Sequence, residues 1–367
     1  MRRFLICAAA ALFAAPALGC TGAGGAATPA SDSAAAAAAG TLDIYFIDVE
    51  GGKATLIVAP TGESMLVDAG FAGAGTFNST PGDPAEARDP QRIMEAARDA
   101  GISRIDHMFV THYHADHFGG VMELSQLIPI AEYIDHKAPS AEAEARVPGT
   151  LALYDAYVAV RSNGKHRPAR AGDSFMFGES RVDVVSSEAQ VLSAPLAGGG
   201  AQNPACTTGG VPAQETTENP NSSGIMLTFG DFRYLDVGDL SGEPLYALGC
   251  PVDLLGPVDV YAIAHHGGAD GSDPSLFAAI KPRMAVFSNG TRKGAQAATF
   301  NTLRQFGIDG WQTHRTANPG AENMPDEQIA NLDTTTSAWI KLSASRDGSF
   351  TVTNGRTGQT KSYPKRP

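Results

Sequence analysis

Residues 109–120 read FVTHYHADHFGG. Three histidines and an aspartate, His112, His114, Asp116 and His117, fall within six positions straight after the apolar run Met108-Phe109-Val110. Imidazole nitrogen and carboxylate oxygen are the donors that zinc and similar ions take, and a site needs at least three of them to converge. A strand that ends in a tight loop points His112 and His114 the same way, while Asp116 and His117 turn back toward a neighbouring position. One loop then supplies parts of two adjacent metal half-sites. Gly119-Gly120 permits a close backbone approach where the next helix begins.

Outward from this loop the pattern alternates between strands and helices. TLDIYFIDVEGG (41–52) opens the folded part as a strand stopped by glycines, and ATLIVAPTGESMLVDAG reads as a hairpin around Pro60-Thr61-Gly62-Glu63. Asp89-Pro90 reads as a helix cap with proline at the first helical position, and the helix stops at Gly101. GGVMELSQLI (119–128) reads as a helix and AEYIDH (131–136) as a strand. Helix near Leu151 to Val160 is followed by polar loop to residue 172, and SFMFGESRVDVVSS is a second hairpin. A third, SGIMLTFGDFRYLDVGD, ends like the first: MLVDAG is echoed by RYLDVG. Then come the strand VDVYAIA, His265-His266-Gly-Gly, helices near Pro274–Ile280 and Thr299–Phe306 around the strand MAVFSNG, and a terminal hairpin. Two similar β-rich halves, each continued by helix and strand, are expected within one domain spanning 41–367.

Bulk properties narrow the partners. The chain of 367 residues is 43% hydrophobic with a formal net charge of -12, enough for a sizeable core. That acidic balance argues against strong, charge-driven nucleic-acid binding. Residues 1–19 have Arg2-Arg3, an apolar stretch and small residues, the make-up of an exported signal peptide. Ala17-Leu18-Gly19-Cys20 resembles a bacterial lipobox with Cys20 as the lipidated residue; ordinary cleavage after the Ala-Pro-Ala stretch is the alternative. Residues 20–40 read as a flexible tether. The expectation is a periplasmic or cell-envelope lipoprotein that meets the membrane only through Cys20. Two cysteines, Cys206 and Cys250, remain in the mature chain, and an oxidising compartment favours one disulfide between them over two unpaired thiols.

His112-Tyr113-His114-Ala115-Asp116-His117 resembles the HxHxDH signature of the metallo-β-lactamase superfamily. FIDVEGGKATLIV, MLVDAG, NSSGIMLTFGDFRYLDVGD, VDVYAIAHHGG and AVFSNG follow in the family's order and look most like its stand-alone ComEC-like branch. The resemblance covers about residues 42–315 and implies an α/β fold, the four-layer αββα sandwich. It also implies two divalent metal ions, zinc first, with manganese or iron as other occupants. By match to the motif, His112 and His114 would hold the first ion, and Asp116 and His117 the second. Asp239 would bridge them, and one of His265-His266 would complete the second. His265 is taken as that ligand, leaving His266 to orient a neighbour or donate to the substrate as a catalytic group beside Asp116. Asp68 matches the aspartate that orients a ligand from behind, although it also reads as a turn residue; Asp236 reads as a turn residue. The superfamily's further histidine, about twenty-five residues before the bridging aspartate, is replaced here by TTENPNSSG. His136 reads as a strand-end residue, with completion of the first ion as its alternative role. His107, His166 and His314 read as isolated and solvated.

Such a pair of ions brings the pKa of a bridging water to about 7 and makes hydroxide available at neutral pH. The resemblance therefore implies a metallo-hydrolase, of phosphodiester bonds on the ComEC-like reading. A lactone, thioester or β-lactam substrate is the alternative on the same metals. An iron oxidoreductase and a non-catalytic surface binding protein are the remaining classes. Mass spectrometry of the mature N-terminus in the native host is expected to show a chain beginning at a lipid-modified Cys20; an unmodified chain beginning at residue 18 would contradict this.

Overall fold

The computed structural model describes residues 40–206 and 215–367. The expected signal peptide at 1–19, Cys20 as the expected lipidation site, and nearly all of the expected tether lie outside the described residues. The latter belong to one compact unit.

Strand Leu42–Ile47 shows how the layers arise. Leu42, Ile44 and Phe46 enter one apolar cluster, while Tyr45 and Ile47 enter another. Alternation with period two, apolar on both sides, builds a strand buried on both faces. Ser64–Val67 repeats the pattern, with Met65 and Val67 on one side and Leu66 on the other. In the second half Ile225, Leu227 and Phe229 oppose Met226.

Two nine-stranded sheets result. In the first the order is Thr360–Tyr363, Phe350–Asn354, Trp339–Ala344, Leu42–Ile47, Thr55–Val58, Ser64–Val67, Ile105–Phe109, Ile130–Asp135 and Lys165–Pro168. The second runs Ile329–Asn331, Asp309–His314, Met284–Phe287, Val260–Ala262, Phe232–Asp236, Gly224–Phe229, Ser180–Ser187 and Ser174–Phe177, with Gln190–Val191 beside Ser180–Ser187. Their facing sides share a core in which Phe46, Met65 and Phe109 join Leu227, Val260, Val286 and Trp311. Helices Arg88–Asp99, Val121–Leu127 and Thr150–Arg161 bear on the outer core of the first sheet. Helices Gly242–Gly249, Pro274–Ile280 and Ala297–Phe306 do the same for the second. This is the αββα sandwich that the sequence implies.

Four details differ from the sequence reading. Helix Arg88–Asp99 begins one residue before Asp89, with no side-chain cap, because the Asp89 carboxylate is engaged elsewhere. It accepts from Phe71 N at 2.7 Å and from Arg88 Nε at 2.7 Å. Residues Lys165–Pro168, expected as loop, form a polar edge strand, where exposure on one side tolerates KHRP. Helix Ala141–Arg146, capped by Ser140, lies where the sequence reading placed no element. The terminal hairpin Trp339–Ala344 and Phe350–Asn354 gains a third strand, Thr360–Tyr363, and pairs along Leu42–Ile47, tying the chain's end to its first strand.

Among the described residues no helix is long and apolar enough to cross a membrane. Cys206 and Cys250 are joined by a disulfide that closes a span of 44 residues, with Cα atoms 5.7 Å apart. Chain-entropy arguments give a cross-link of that span about 4 kcal/mol. Replacing both cysteines by serine is expected to lower stability by about 2–4 kcal/mol in urea unfolding; an unchanged midpoint would contradict a native bridge.

Candidate metal centre

Polar side chains gather where parallel strands end, which is where open α/β sheets place their sites. In the first sheet Ser64–Val67 and Ile105–Phe109 run parallel and release Asp68 and residues 110–117 at the same edge. In the second, Phe232–Asp236, Val260–Ala262 and Met284–Phe287 run parallel and release Asp239, His265-His266 and Ser288–Lys293. The two edges interlock: Gly238, at φ +59°, lies so close to Thr111 that a Cβ there would stand 2.7 Å from the threonine Cβ. Gly120 meets the same kind of limit, 2.3 Å from the Ala69 carbonyl oxygen. The glycine pair after the histidine loop therefore serves the close approach read from the sequence.

Asp68 anchors the loop. It sits in the left-handed region at φ +60°, a conformation that costs a non-glycine residue on the order of 1–3 kcal/mol. Its carboxylate accepts from Thr111 N and Thr111 Oγ1, each at 2.8 Å, and lies 2.7 Å from His117 Nδ1. An imidazole that donates through Nδ1 presents its Nε2 lone pair to the opposite side. His266 is held likewise, with Nδ1 2.7 Å from the Ser288 carbonyl oxygen.

Those two Nε2 atoms face each other at 3.2 Å, and each lies 3.1 Å from Asp239 Oδ2. Asp116 Oδ2 completes the group, 3.3 Å from His117 Nε2 and 3.2 Å from His266 Nε2. All four residues are buried. Donors at about 2.0–2.1 Å from a tetrahedral ion stand about 3.3 Å apart, so the spacing fits one divalent ion. Beside them His112 Nε2 and His114 Nδ1 approach to 3.0 Å, and the rings of His112 and His117 lie 4.1 Å apart. Asp239 Oδ1 and His114 Nε2 are buried and have no protein hydrogen-bond partner. The donor set thus fits a metal site.

The electrostatics ask for positive charge at the same place. Burial alone would depress His117, yet Asp239, Asp116 and Asp68 outweigh it and hold its pKa well above the usual range. Burial would raise Asp239, but His117, His266 and His265 keep it well below the ordinary carboxylate range. Asp116 is lowered against the same burial cost, by Lys293 and then His117. His112 is pushed well down by burial and by the imidazoles of His117 and His114, and burial takes His114 down to about 4. Both therefore keep their lone pairs at neutral pH, as ligands must.

The expected order of His265 and His266 is reversed. His266 is inside the cluster, while His265 is partly exposed, with Nε2 3.7 Å from Asp239 and Nδ1 2.7 Å from Asp270. The reason is local: both residues adopt positive φ, +48° and +55°, which turns their rings apart to 6.1 Å between centroids. His136 is also misplaced as a ligand for the first ion. Its ring lies 4.5 Å from that of Tyr113, its Nδ1 donates to the Lys137 carbonyl oxygen at 2.8 Å, and its Nε2 points toward Glu218 at 3.8 Å. Tyr113, which lies between His112 and His114 in sequence, belongs to the outer core. Asp236, read as a turn residue, ends the strand Phe232–Asp236 and is buried, where it pairs with Lys53 and accepts from Gly238 N and Tyr234 OH. His107 and His314 are not solvated: His107 lies between Glu63 and Glu132, and His314 is buried with Nδ1 2.7 Å from Arg315 O. His166, partly exposed, contacts Asp135 at 2.7 Å.

Sequence reasoning missed Lys293, whose ammonium pairs with Asp116 across 177 residues. The available signal was a basic residue in SNGTRKG, the loop after a strand that releases its end toward the site.

Residues 47–178 match the family model described as the metallo-beta-lactamase superfamily. Match and architecture together define a metallo-β-lactamase fold with a possible metal site. No curated protein matches the chain. Among solved structures, the metallo-beta-lactamase fold protein YhfI from Bacillus subtilis is similar at 10% identity, TM-score 0.44, over 74% of this chain and 96% of that one. A diphosphatase of the PhnP family is similar at 14% identity, TM-score 0.38, over 78% and 98%. CmlA, a diiron β-hydroxylase from Streptomyces venezuelae, is similar at 16% identity, TM-score 0.37, over 68% of this chain. The chain spans only 45% of that hydroxylase's length.

Asp68→Asn keeps the shape but weakens the acceptor behind His117. Metal affinity, measured by competition with a chromogenic chelator, is expected to fall about 10–100-fold. Unchanged affinity would make Asp68 a turn residue only.

Proposed function

We propose that this chain is a metal-dependent hydrolase of phosphodiester bonds. The observation that carries the reading is the convergence of Asp116, His117, Asp239 and His266 at donor spacings suited to an ion, with His112 and His114 alongside. Phosphodiester specificity draws its support from the ComEC-like segments and from the positive charge of Lys293 at the cluster.

Divalent ions held by these residues would supply a water of lowered pKa and a Lewis acid for the substrate's oxygens. The chain's own part follows from its geometry. Asp116 and Asp239 hold the charge of the site and can take up a proton from water. Asp68 and Ser288 fix the rings of His117 and His266, so no reorganisation is needed when the substrate arrives. His265, held at the rim by Asp270, is placed to donate to a leaving oxygen. It thereby takes the substrate-facing role that the sequence gave to His266. Export and lipidation at Cys20 complete the proposal and would keep the enzyme at the bacterial envelope.

The test combines elemental analysis with turnover of bis(p-nitrophenyl) phosphate, a lactone and a β-lactam. The expected result is about two divalent ions per chain and hydrolysis of the phosphodiester. Asp239→Asn should reduce kcat/KM by more than the ~100-fold typical of residues behind the ligands. Preference for the lactone or β-lactam would replace the substrate; fewer than about half an ion per chain and no turnover with added Zn²⁺ or Mn²⁺ would overturn the hydrolase.

A further inference from the structure

A cavity of about 730 Å³ opens beside the metal centre, with His266 and His265 in its wall and Phe77, Arg292, Lys293 and Gln296 around it. Two features are unusual for a protein surface. Phe77 is 60% exposed, a value that among the large apolar side chains of the described residues only Met176 matches. Exposed apolar groups that border a cleft are candidates for contact with a ligand. It is also fixed, packed edge-on against buried Phe71 at 4.9 Å. Lys293 Nζ lies 5.0 Å from the centroid of the Phe77 ring while its ammonium pairs with Asp116.

The charges are unequally matched. Asp270, the acidic member of the wall, is engaged by His265 at 2.7 Å. Arg292 is exposed and makes no ion pair among the described residues. The Lys293 loop is built tightly: Gly290 N donates to Lys293 O at 3.0 Å, and Gly51 packs where its Cβ would stand 3.0 Å from Lys293 Cβ. The lysine is thereby aimed at the metal cluster by backbone, not by a floppy segment. A cation beside the cluster, a second cation with no partner and a rigid exposed ring on one wall suit an anion that carries an apolar group.

Resting on the hydrolase reading, we infer that Lys293 and Arg292 bind the phosphoryl oxygens of the substrate and that Phe77 receives an apolar or aromatic substituent on that phosphate. Substrates of this centre are then phosphodiesters with at least one such substituent, rather than neutral esters. Lys293 is an anion-binding residue: a charge-assisted hydrogen bond to a phosphoryl oxygen gives about 10–100-fold in affinity.

Methylphosphonate and phenylphosphonate, neither hydrolysable, separate the two contacts by calorimetric titration of the metal-loaded full chain. Phenylphosphonate is expected to bind more tightly than methylphosphonate. Lys293→Ala should weaken both by about 10–100-fold with metal content unchanged, and Lys293→Arg should restore most of the loss. Phe77→Ala should remove the advantage of the phenyl compound and leave methylphosphonate as it was. No binding by the unaltered chain, equal affinities in Lys293→Ala, or loss of metal from that variant would each overturn the inference, the last by making Lys293 a partner of Asp116 alone. If Lys293→Ala does not fold, the Arg and Phe77 variants decide. Binding with this pattern but no turnover of any phosphodiester would sink the hydrolase reading and leave the pocket's ligand class standing.

Discussion

The structure turns on three buried carboxylates, Asp68, Asp116 and Asp239, that converge on one imidazole, His117. Withdrawing that much negative charge from water costs several kcal/mol per group unless a cation or hydrogen bonds answer it. Within the protein, His117, Lys293, His265 and His266 answer Asp116 and Asp239, while His117, Lys53 and the two hydrogen bonds from Thr111 answer Asp68. Such an arrangement is a poor way to stabilise a fold and a good way to hold a divalent ion. The other features of the centre follow from it: a left-handed Asp68, two consecutive left-handed histidines, and glycines where backbones nearly touch.

The sandwich makes this concentration of charge possible. Each sheet is buried on both faces, so its helices and the opposing sheet absorb the apolar side chains of every strand. The polar residues can then be confined to loops at the carboxyl ends of the parallel strands, where two edges meet. The contact of Gly238 with Thr111 and the ion pair of Lys53 with Asp236 lock those edges together from within. Lys53 and Asp236 lie in different halves of the sequence, and removing either partner would leave an uncompensated buried charge worth about 3–5 kcal/mol.

Much of this was legible in the residues. Period-two alternation located the strands, and turn chemistry at Pro60–Glu63 and Gly230-Asp231 located hairpins. The dense histidine loop marked one half of the centre because metal donors in tight spacing have few other uses, whereas Asp239 in LDVGD was marked only by the family resemblance. The choice between His265 and His266 was not legible, since adjacent identical residues differ only through backbone dihedrals that neither sequence nor spacing encodes. Lys293 escaped for a related reason: its partner is remote, and a lone lysine in a polar loop has no periodic or spacing signal. Lys165–Pro168 escaped because an edge strand needs no apolar face.

We propose that these donors hold two ions at the junction of the sheets. Anomalous diffraction at the zinc edge, from crystals of the mature chain grown with Zn²⁺, tests it most directly. The account predicts two peaks about 3.5–4 Å apart, one at about 2.0–2.1 Å from the Nε2 atoms of both His117 and His266, and one against His112 and His114. A peak bound by His265 in place of His266, or no peak at this junction in zinc-replete crystals, would contradict it.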